Sequence, residues 1–75
     1  MSAVIEKVID FRHGGPYDRG SADSYYLRKY NPHYYTGPTG LSTRVEITDM
    51  TVDEINEYAK GFYDNEAQQN FKDYG

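Results

Sequence analysis

Apolar and polar positions alternate along two stretches of this chain and recur at helical spacing along two others. In 3–11, Ala3, Ile5, Lys7, Ile9 and Phe11 fall on one side, and Val4, Glu6, Val8 and Asp10 on the other. The first set is the more apolar; a short helix competes, but branched Val and Ile favour extended backbone, so 3–11 predicts a strand with one covered face. Arg12-His13-Gly14-Gly15-Pro16 ends it as a loop. Ala22, Tyr25, Tyr26 and Tyr30 then recur at helical spacing, with Asp18 as the N-cap, and predict a short helix over 18–29. Pro32 turns Asn31 out of the helical region. Residues 33–42, with Gly37, Pro38 and Gly40, read as a loop. Alternation returns over 43–49, where Val45 and Ile47 oppose Arg44, Glu46 and Thr48. This predicts a second strand paired with the first, and a two-stranded ribbon needs a helix to cover it.

That helix follows. Thr51 and Glu54 have the spacing of a capping box, with Met50 placed to staple onto Ile55. Val52, Ile55, Tyr58, Ala59, Phe62 and Tyr63 form one stripe, and Asp53, Glu57, Lys60 and Asp64 lie opposite. The helix is expected over 51–69. Gly61 is costly within it, at about 1 kcal/mol relative to Ala, and reads either as a tolerated defect or as a place where a partner's backbone approaches closely. Phe71 and Tyr74 beyond it either fold back as a clasp or fray. The fold class expected is α+β: one small domain, a short ribbon packed by a short helix and a longer C-terminal one.

Composition changes what the core is made of. The 75 residues hold nine Tyr, three Phe and no Trp, and aliphatic side chains are scarce, so the core must draw on aromatic rings. A chain this short buries only about 60% of its unfolded surface. There is no cysteine, hence no disulfide. No apolar run approaches the roughly 20 residues of a membrane span, and 1–11 lacks the pattern of a secretory signal. The expected setting is the cytoplasm.

Charge divides the chain. Before Val45 there are six Lys/Arg against four Asp/Glu; from Val45 onward, two Lys against eight Asp/Glu. The first part is mildly basic and the second strongly acidic, which argues against a protein that sheathes nucleic acid with its whole surface. Tyr25, Tyr34 and Tyr35 with Arg19, Arg28, Lys29 and His33 are the candidate contact residues of the basic part. Rings and cations are what protein hot spots use, and what RNA bases and phosphates meet. Asp53, Glu57 and Asp64 are the candidates of the acidic part, placed to dock on a basic partner. An exposed apolar patch on so small a body also makes a homodimer an expectation to test. His13 and His33 lack a third ligand at metal spacing, no serine or cysteine has a nucleophile's context, and no cofactor motif is present, so the chain reads as a binding protein and not an enzyme.

Asp18-Arg19-Gly20-Ser21-Ala22-Asp23-Ser24-Tyr25-Tyr26, Asn31-Pro32-His33-Tyr34, Met50-Thr51 with Asp53-Glu54-Ile55, Tyr58, Gly61, Asp64-Asn65-Glu66 and 71–75 together resemble a group of small accessory proteins of tailed bacteriophages. The likeness covers nearly all of the chain from Asp18 onward. It implies expression in an infected bacterium and binding of a host protein as modulator or inhibitor. A weaker likeness is to ribosome modulation factor. Gly20, Tyr25, Tyr26, Arg28, Asn31, Pro32, Tyr58, Gly61 and Phe62 stand in similar order, which implies contact with the ribosome and its RNA. The chain departs from that family in its N-terminal segment and its acidic second helix.

Overall fold

Pro16 fixes where the first helix begins. Its missing N–H and preset φ suit the first helical position, and helix α1 runs Pro16–Tyr25 with extended Gly15 as the N-cap. The computed structural model describes residues 11–37 and 41–73. The predicted first strand, 3–11, lies outside them apart from Phe11.

Asp18 is therefore not the cap but sits in the first turn. Its carboxylate accepts from the Gly14 amide at 2.9 Å, fixing the loop that enters the helix. The helix also stops earlier than the spacing of the tyrosines predicts. Leu27 adopts a left-handed conformation (φ 60°). The Leu27 amide bonds Ser24 O at 3.0 Å and the Arg28 amide bonds Asp23 O at 2.7 Å. This paired pattern satisfies the last carbonyls and reverses the chain.

Residues 33–42 are not all loop. His33–Tyr35 forms strand β1, antiparallel to β2 (Arg44–Glu46), in the register His33↔Glu46, Tyr34↔Val45 and Tyr35↔Arg44. The predicted strand over 43–49 is thus shorter, because Ile47–Asp49 turns into a 3-10 helix. The Arg12–Gly15 loop fastens to β1: Tyr35 N donates to Gly14 O at 2.7 Å and the Arg12 guanidinium to Tyr35 O at 2.8 Å.

Helix α2 runs Val52–Gln68, and the capping box at its start is complete. Glu54 N donates to Thr51 Oγ1 at 3.1 Å, and Thr51 N to Glu54 Oε1 at 2.8 Å. Met50, just before the cap, is buried. The predicted apolar stripe of α2 is buried only in part: Tyr58 is buried and Ile55, Ala59 and Phe62 are half-buried, but its two ends are not. Val52 is 74% and Tyr63 60% exposed, while Tyr58, Gly61 and Asn65 are buried. The reason is the neighbour. Helix α2 packs chiefly against α1, not over the ribbon, and α1 in turn meets β1. The helices cross at Gly20 and Gly61. A Cβ on Gly20 would overlap the Tyr58 carbonyl oxygen, and one on Gly61 the Tyr17 carbonyl oxygen. Only glycine permits this approach of backbones.

The interior is partly polar. Tyr58 is fully buried, and Asp23, Ser24, His33 and Asn65 are buried as well, with Asp23 and His33 in contact with it. The other rings are arranged at the margin, where Tyr30 meets Tyr58 and Phe62 edge-on, each at 5.2 Å between ring centroids, and lies stacked with Tyr63 at 5.8 Å. The aromatic core expected from composition is therefore one buried phenol capped by half-exposed rings. The tail does return: Lys72 N bonds Tyr25 O at 2.7 Å, and Asn65 Nδ2 holds Asn70 O at 2.8 Å. Phe71 is half-buried, and Tyr74 lies outside the described residues.

Candidate functional site: a basic cleft beside the first strand

The reversal at Leu27 and the extended Asn31-Pro32 step bring β1 back alongside α1. A cleft of about 360 Å³ opens between them, lined by Arg19, Asp23, Arg28, Lys29, Asn31, His33, Tyr35 and Arg44. Each element contributes for a local reason. Arg19 and Asp23 are one helical turn apart on α1. His33 and Tyr35 are two apart on a strand and share a face. Arg44 stands directly across from Tyr35 in the ladder, so their side chains are neighbours.

Asp23 forms the floor and is buried. The Tyr58 hydroxyl donates to its carboxylate. Arg28 Nη1 is 3.6 Å and His33 Nδ1 3.7 Å from the same carboxylate. His33 Nδ1 donates to the Asn31 carbonyl at 2.7 Å, and Asn31 N donates to the Tyr58 hydroxyl at 3.1 Å. Burial first, and then the bond to Asp23, push the Tyr58 phenol well above its ordinary pKa. The floor is thus a closed polar network anchored on α2.

The walls are cationic. Arg19 is only 11% exposed, and its guanidinium lies 5.8 Å from the Tyr35 ring centre. Its Nε is buried with no hydrogen-bond partner among the described residues. Arg28 lies 4.9 Å from the ring centre of Tyr26. Arg44 donates to Glu46 at 2.7 Å and to the Tyr35 hydroxyl at 3.4 Å. The Glu46 bond, followed by that to Tyr35, raises the Arg44 pKa. Lys29 makes no ion pair among the described residues and is exposed. Such a cleft can hold an anion by charge-assisted hydrogen bonds.

Of the candidate residues, Arg19, Arg28, Lys29, His33 and Tyr35 come together here. The others do not. Tyr34 faces away from Tyr35 along the strand, and its hydroxyl is bonded to Glu54, which raises its pKa. Tyr25 packs edge-on against Tyr26 at 4.9 Å. Asp53 and Glu57 lie on α2, outside the cleft lining. Asp64 is occupied by the Tyr17 hydroxyl at 2.7 Å and by Lys60 at 3.2 Å. The Tyr17 bond, with Lys60 second, holds the Asp64 carboxyl below its usual range, and the same bond raises Tyr17. Sequence reasoning missed Arg44, Asn31 and Asp23 as members. The signal for Arg44 was its place on the polar side of an alternating stretch, but the strand it pairs with was read as a loop.

In the loop before α1 the Gly14 amide is taken by the Asp18 carboxylate. His13 is exposed and 3.9 Å from Asp18, whereas His33 is buried, so the histidines sit in separate surroundings. Among the described residues no group of His, Asp or Glu is placed to hold a metal ion, and no helix is long and apolar enough to cross a membrane. No known protein family fits this chain, and no curated protein or solved structure matches it.

Proposed function

We propose that this protein is a small non-enzymatic binding module that docks on an acidic feature of a partner protein through its basic cleft. The resemblance to bacteriophage accessory proteins supplies the partner: a host protein, which docking would modulate or inhibit. The observation that carries this reading is the convergence of Arg19, Arg28, Lys29 and Arg44 on one cleft beside Tyr35. Half-exposed Tyr26 and Tyr30 flank the same turn. Arginine and tyrosine in a concave, partly desolvated setting are the residue types that dominate binding energy at protein interfaces. The acidic side of α2, with Asp53 and Glu57, is left as a second charged face.

RNA is the second reading, favoured by the same four cations, since phosphates and stacked bases use these groups. Affinity capture from a bacterial lysate, with the wild-type chain and an Arg28→Glu/Lys29→Glu variant, separates the two. The protein reading expects a discrete protein retained by the wild type, lost with the charge-reversed chain, and unaffected by ribonuclease. Loss on ribonuclease treatment, with binding that falls steeply as salt is raised, selects RNA instead. Equal capture by both chains overturns the cleft as the contact site.

A further inference from the structure

We propose that the group seated in the cleft is a phosphate monoester, so that the partner is engaged through a phosphorylated side chain. This rests on the docking reading above and names the chemistry of the docked group. Three guanidinium groups and one ammonium line the cleft, against a single carboxylate, Asp23. Asp23 is already engaged by the Tyr58 hydroxyl and lies near Arg28 and His33. Asp18, 3.9 Å from Arg19, and Glu46, bonded to Arg44, offset part of the positive charge from outside the lining.

A carboxylate carries one charge and is satisfied by one guanidinium fork. A phosphate monoester carries about −1.5 to −2 charges and three strong acceptor oxygens, and so matches cations arriving from several directions. Here they arrive from three places: Arg19 from α1, Arg28 and Lys29 from the turn, and Arg44 from β2. Arg19 gives the second, independent indication. Its Nε is a buried donor with no acceptor among the described residues, and leaving a buried donor unpaired costs about 1–3 kcal/mol. Arg19 also lines the cleft, so a shift of its guanidinium toward an anion seated there would give that donor an acceptor. At about 360 Å³ the cleft holds a phosphoryl group with the stem that carries it.

The test is an NMR titration of the full chain at constant ionic strength with inorganic phosphate, O-phosphoserine, glutamate and a single-stranded oligonucleotide. The expected result is saturable shifts at the Arg19 Nε–H and at the Asn31 and His33 amides with phosphate and O-phosphoserine. O-phosphoserine should bind about tenfold tighter than glutamate, as expected for the additional charge and acceptors. Arg28→Ala/Lys29→Ala, at exposed positions, should weaken it while leaving the spectrum folded. Glutamate binding as tightly as O-phosphoserine, or shifts that never saturate, overturns the proposal. Oligonucleotide binding at these residues far more tightly than O-phosphoserine overturns it in favour of a nucleic-acid phosphate. The two readings fail separately: protein capture that depends on Arg28 and Lys29 without phosphate binding leaves docking standing and removes the phosphate.

Discussion

The phenol hydroxyl of Tyr58, on α2, donates to the buried carboxylate of Asp23, on α1. One bond thereby joins the two helices and closes the floor of the cleft. A buried carboxylate is costly unless hydrogen-bonded, so Tyr58 is both the centre of the interior and the group that makes Asp23 tolerable there. Tyr58→Phe keeps the ring and removes the donor. It should destabilise the domain by about 1–3 kcal/mol. Tyr63→Phe, at an exposed ring, should be near neutral. Urea denaturation of the two variants beside the wild type checks the contrast.

Alkaline pH should attack the same network. The Tyr58 pKa is raised above the ordinary 10.0. Tyr17 and Tyr34 are raised too, by their bonds to Asp64 and Glu54. A raised phenol pKa gives stability that is fully present below the unfolded value and is lost as pH rises through the folded one. Urea midpoints should therefore hold up to about pH 10 and fall above it. Tyr58→Phe should fall less steeply. An unchanged slope in that variant would show that Tyr58 ionises without resistance.

Leu27 holds a left-handed conformation at an exposed position, where a non-glycine residue is strained by roughly 1–2 kcal/mol. Leu27→Gly relieves this but frees the unfolded chain. The net expectation is a gain of about 1 kcal/mol, or a melting temperature about 4–8 °C higher for a domain of this size. A lower melting temperature would mean that the Leu27 side chain contributes packing that its exposure does not suggest.

The elements differ in how far local sequence specifies them. Thr51 and Glu54 announced the start of α2 because a capping box is contained in four residues. His33-Tyr34-Tyr35 did not announce β1. Three residues between Pro32 and Gly37 are too few to display alternation, and what makes them a strand is the Arg44–Glu46 segment beside them. Gly61 reads from sequence as a tolerated defect or a seat for a partner's backbone, because its use within the chain appears only when α1 lies across it. The crossing also trims the apolar stripe of α2: Tyr58 stays buried, but Val52 and Tyr63 at its ends are exposed, and Gly61 and Asn65 join the buried face in their place. The basic half of the cleft was legible as a run of cations near tyrosines. Arg44 was not, since it joins through strand register. Nor was Asp23, whose role depends on a tyrosine 35 residues away.

The account turns on the helices meeting backbone to backbone at Gly20 and Gly61, since that approach brings Tyr58 to Asp23 and sets the cleft. The thermal unfolding temperature of Gly61→Ala tests it most directly, because two effects oppose in sign. Helix propensity alone raises stability by about 1 kcal/mol. A methyl group forced against the Tyr17 carbonyl should instead cost about 1–3 kcal/mol or more and lower the melting temperature. A melting temperature equal to or above that of the wild type would contradict the crossing and the site built on it.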